Sequence, residues 1–96
     1  MSLKDSLLPI ANKVPLDRND ILKLKKIAAD RHDENPHFCF TLGIICEYLL
    51  DHPWAPEKAQ ELREPIRLFI NSSHNAPEYC VEAANAFTRI LSSLKN

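Results

Sequence analysis

Leu3, Leu7, Leu8, Ile10, Ala11 and Val14 make an apolar set near the start of the chain, and Ile21, Leu24, Ile27 and Ala28 follow at spacings of three and four, which gather side chains on one face of an α-helix. The first set predicts a short N-terminal helix within residues 3–14, limited by Pro9, which removes one internal hydrogen bond. The second predicts a helix near 17–32, opened by Asp17 as N-cap with Asp20 in the first turn. Leu16 and Ile21 occupy the positions of a hydrophobic staple around that start. Lys23, Lys25, Lys26 and Asp30 take the polar side, while Leu22 and Ala29 fall off the main stripe.

Residues 36–51 read differently. From Phe38 to Leu50 only Thr41 and Glu47 interrupt the apolar run, too short to cross a bilayer and too long for an ordinary strand. A helix apolar almost all round predicts the most enclosed element of the fold. Gly43 in its middle carries a helix-propensity cost, which predicts close approach of a neighbouring helix. Beyond it, Ala59, Leu62, Ile66 and Phe69 keep one apolar phase straight through Pro65, predicting a single kinked helix over 56–72. Cys80, Ala84, Phe87, Leu91 and Leu94 form a heptad-like seam in a last helix over 77–94, flanked by Ala83 and Ile90. Asn75 and Glu78 supply its capping box, with Pro77 inside the first turn.

The prolines punctuate this pattern: Pro15, Pro36, Pro56 and Pro77 stand 21, 20 and 21 residues apart. Proline suits a helix start, where its missing N–H has no intrahelical partner. The fold class expected is therefore all-α, one domain over 1–96, a compact bundle of four main antiparallel helices with the N-terminal helix as an accessory packed across it. Two helix-pair repeats stacked as in a solenoid are the alternative. Leu42-Gly43 and Ala83-x-x-x-Phe87 resemble fragments of the tetratricopeptide pattern, but not at mutually consistent repeat positions.

Charge and composition narrow the function more than they name it. Twelve basic against 13 acidic residues leave a formal net charge of −1, which disfavours nucleic acid or an anionic membrane as partner. No signal-peptide pattern is evident, and the three cysteines, Cys39, Cys46 and Cys80, sit among apolar residues, so reduced thiols in a cytoplasmic protein are expected. His32, His37, Cys39, Cys46 and His52 lack the tight ligand pairs of a zinc site; His37 and Cys39 would point about 200° apart on a helix. No metal or cofactor is expected. Phosphate-binding loops and nucleophile motifs are missing from the sequence.

The stretch from Arg31 to His37 resembles the Arg-polar-x4-His signature of helical ribonucleases of the HEPN class. The resemblance implies a metal-independent ribonuclease in which Arg31 would stabilise charge at the scissile phosphate and His37 would move protons. The competing reading is a solvated turn with His37 at a helix start. The leading functional expectation is instead a small helical protein-interaction module without catalytic activity: an adaptor, a regulator or inhibitor of a larger protein, or an assembly subunit. Its partner would be another protein, a second copy of the chain included. The residues expected to bind are Trp54 and His52 in the turn 52–56, where tryptophan would serve as an anchor, with Leu22 and Leu68, which lie off the main apolar stripes. Against this, the Trp54 ring could fold back and cap the bundle.

Overall fold

The computed structural model describes residues 2–52, 54–71 and 81–95. Helices follow the sequence as α1 (Leu3–Ala11), α2 (Arg18–Asp30), α3 (Pro36–Asp51), α4 (Pro56–Gln60), α5 (Arg63–Asn71) and α6 (Val81–Lys95), with a 3₁₀ turn at His32–Glu34 between α2 and α3. The fold is all-α, and no strand occurs among the described residues.

Local chemistry sets most of the ends. Asp17 and Asp20 cap α2 reciprocally: the Asp20 N–H donates to Asp17 Oδ1 at 2.9 Å, and the Asp17 N–H donates to Asp20 Oδ2 at 2.8 Å. Leu16 and Ile21, the expected staple, are both buried. Asn35 caps α3 by accepting from the Phe38 N–H, with Pro36 at the first helical position. Pro56 likewise begins α4, though without a side-chain cap since Ala55 precedes it, whereas Pro15 lies in the link before Asp17 and not in a helix. Pro53, Pro77, Cys80 and the capping box at Asn75 and Glu78 lie outside the described residues.

The helices form a closed ring in which α2 packs on α3, α3 on α6, α6 on α5, α5 on α1 and α1 on α2. A solenoid joins each unit only to its chain neighbours, so the α3–α6 and α1–α5 contacts favour the bundle over stacked repeats. The radius of gyration, 12.1 Å, agrees with the about 12.5 Å expected of a compact domain of this length. The N-terminal helix is a full member of the ring, with Leu3, Leu7, Ile10 and Ala11 buried between α2 and α5. Its first N–H donates to Glu34 Oε1 at 2.9 Å, an anchor 31 residues away.

Three expectations are corrected. The segment 56–72 is two helices, divided at Glu61-Leu62. Pro65 has no N–H for the Glu61 carbonyl, and the chain tightens there through bonds from Glu61 to Lys58, Leu62 to Ala59 and Glu64 to Glu61. The apolar phase survives the break, since Ala59, Leu62, Ile66 and Phe69 are all buried. Second, α3 is not enclosed on every side. Phe38, Cys39, Leu42, Ile45, Cys46 and Leu49 are core, but Phe40 is 63% exposed and Ile44 39%. α2 and α6 cover two flanks of α3, and its outer side is left to solvent. Third, no neighbour crowds Gly43: a Cβ built there would stand 4.0 Å from Ala28 Cβ, ordinary van der Waals contact. In α6 the most buried stripe is Ala83, Ala86, Phe87 and Ile90, rotated slightly from the expected seam, with Phe87 common to both.

Candidate functional site

The exposed side of α3 meets the exposed side of α2 in a shallow groove of about 270 Å³. Helical spacing explains its make-up. Phe40, Ile44, Glu47 and Asp51 fall within an arc of about 60° on α3, so two large apolar residues share a strip that ends in carboxylates. The opposite bank is made by Lys25 and Ala29 of α2 and His32 of the 3₁₀ turn that follows it, with Leu22 further along the same side of α2. Gly43 and Ala29 keep the floor low between them. Leu22 is 50% exposed, one turn before Lys25. Lys25 and Glu47, one on each bank, make no ion pair among the described residues.

Cys39 lines the bottom of this groove but is chemically quiet. Burial, with the Glu34 charge assisting, pushes its thiol up to about 11, and Sγ lies 3.5 Å from the Arg31 carbonyl. Burial pushes Cys46 further, to about 12, despite the opposing charge of Lys25. Neither thiol is ionised near neutrality, and both are free. Among the described residues no three of His, Cys, Asp and Glu gather closely enough to hold a metal ion.

The residues singled out from the sequence lie on separate elements. Trp54, in the α3–α4 link, is half-buried and packs against the core cluster. His52 is exposed and stacks on Tyr48, ring centroids 3.8 Å apart, with Nδ1 2.9 Å from the Tyr48 carbonyl, so that nitrogen carries the proton. The Tyr48 hydroxyl in turn donates to the Leu94 carbonyl at 2.8 Å, tying the end of α3 to α6. Leu68 lines a different cleft of about 370 Å³, between Arg63, Arg67 and the Glu61 and Glu64 carboxylates. Leu22 alone belongs to the α2–α3 surface. Arg31 pairs with Glu34 at 3.7 Å, and Glu34 also holds the start of α1, so the guanidinium is engaged in the fold. His37 is exposed in the first turn of α3, and no described hydrogen bond or ion pair joins it to Arg31.

Phe40 and Ile44 were the residues missed from sequence. The signal lay in the same strip: a run with Glu47 seven positions beyond Phe40 and Asp51 seven beyond Ile44 has a polar-ended outer face, however apolar the whole helix is. Comparison of the chain with protein-family models, with characterised proteins and with solved structures finds no match.

Proposed function

We propose that this chain is a helical protein-interaction module whose recognition surface is the outer face of α2 and α3. The observation that carries the reading is Phe40, a large aromatic held 63% exposed on a well-packed helix, with Ile44 beside it and a low floor at Gly43 and Ala29. Exposed aromatics on a rigid surface are favourable anchors, because few rotamers are lost on docking. Lys25 and Glu47 on opposite banks would set the orientation of whatever binds. Adaptor, regulator and assembly-subunit roles all use such a face. A reducing, cytoplasmic setting suits the buried protonated thiols of Cys39 and Cys46. No helix among the described residues is long and apolar enough to cross a membrane.

The reading is tested by placing a photo-reactive benzoylphenylalanine at position 40 and, separately, at position 14, where Val14 is 67% exposed in the α1–α2 link. A discrete crosslinked adduct from position 40 and none from position 14 is the expected result. Equal or absent crosslinking at the two positions contradicts it.

A further inference from the structure

We infer that the α2–α3 face pairs with the same face of a second copy of the chain, in a two-fold dimer whose axis runs along the groove. The inference rests on the interaction reading above and names its partner. Ala28 Cβ stands 4.0 Å from the Cβ position of Gly43, and α2 and α3 run antiparallel about the short 3₁₀ turn, so Lys25 and Glu47 lie at nearly one level across the groove. A two-fold axis along the groove lays each α2 on the other copy's α3 and keeps every level unchanged. Lys25 then faces Glu47 of the second copy, and Glu47 faces its Lys25. Two charges without ion pairs among the described residues become two reciprocal pairs.

The apolar groups are self-complementary in the same arrangement. Phe40 projects from α3 toward the α2 surface of the second copy, where Ala29 offers a low site beside His32. Gly43 carries a helix-propensity cost that nothing among the described residues requires, since a Cβ there would meet only Ala28 Cβ at 4.0 Å. Against a second copy that missing Cβ has a use, allowing α3 to approach the facing helix closely. Knob, hollow and both signs of charge thus occur on one face, as an isologous interface demands.

The test uses the full chain in sedimentation equilibrium, with four samples: wild type, Phe40→Asp, Lys25→Glu and Glu47→Lys. Wild type should dimerise with concentration, and Phe40→Asp should weaken the dimer by at least about tenfold while keeping the wild-type helical signal. Each charge variant alone should associate more weakly than wild type, most clearly at low salt. Mixed in equal amounts the two charge variants should recover a dimer, because each contact then joins opposite charges. A wild type that stays monomeric to its solubility limit overturns the inference, as does a dimer indifferent to Phe40→Asp or a mixture that fails to recover. A monomer that still crosslinks a different protein from position 40 would remove the self-pairing and leave the interaction reading standing.

Discussion

Gln60 holds the backbone of Leu16 at both ends of its amide. Its Oε1 accepts from the Leu16 N–H at 2.8 Å, and its Nε2 donates to the Leu16 carbonyl at 2.7 Å, across 44 residues of sequence. Nε2 also donates to the Pro56 carbonyl at 2.9 Å. One side chain thereby satisfies the polar groups of a buried residue that has no helix to do it, and fixes the α1–α2 link to the end of α4.

Gln60→Ala strands both Leu16 groups and should cost about 2 kcal/mol in chemical denaturation. Gln60→Glu is more informative. Its carboxylate can accept from the N–H but cannot donate to the carbonyl, so it should be less stable than wild type at neutral pH and recover part of the loss once protonated. An acid-insensitive loss would mean that packing and not the donor is what matters.

Asp20 is buried, and burial alone would push its carboxyl up. The Asp17 N–H and the Lys13 ammonium, 2.9 Å away, outweigh that and hold it below the ordinary 3.8. Its contribution is therefore complete above about pH 4 and is lost as the pH falls through the lowered value. The hydrogen bond to Asp20 raises Lys13 above 10.5, so the pair persists through neutrality and fails only in strong alkali. Asp20→Ala should cost about 1–2 kcal/mol at pH 7, chiefly through the lost cap. The gap in melting temperature between the two proteins should close on acidification; a gap that stays constant into acid contradicts the assignment.

Phe38 lies edge-on to Phe69, centroids 4.1 Å apart, and tilted on Phe87 at 5.2 Å, joining α3, α5 and α6 at one point of the core. Phe87→Ala should cost about 3–5 kcal/mol, a large share of the stability of a domain this small. An unchanged melting midpoint would place α6 outside the core.

The helices were legible because each carries its own period and its own start. Asp17, Pro36 and Pro56 announce the first turns of α2, α3 and α4 without help from tertiary contacts. What the pattern could not supply was the arrangement around α3. Counting apolar residues says how hydrophobic a helix is, but how many neighbours it has depends on the ring of contacts. In this ring α3 has its flanks covered by α2 and α6 and its outer face open, so Phe40 and Ile44 stand at the surface of the most apolar segment. At Pro65 the apolar phase fixes which residues are buried but carries nothing about hydrogen bonds, and the missing N–H breaks the helix one turn earlier. Gln60 and Glu34 act through partners 44 and 31 residues away, which no local pattern encodes.

Gly43→Ala isolates the cost of that glycine. Built on a Phe40→Asp background, so that association does not enter, it should stabilise the chain by about 0.5–1 kcal/mol, because the added Cβ meets only Ala28 Cβ at 4.0 Å. A loss of stability would mean that the groove floor is tighter than its geometry.

The proposed role of Phe40 in recognition and not in folding is tested most directly by Phe40→Asp, compared with wild type in dilute thermal unfolding and in association. Exposed to 63%, the ring contributes little to the core, so the melting midpoint should stay within about 3 °C of wild type while association is lost. A midpoint that drops as far as that of Phe87→Ala, with association intact, would contradict the account.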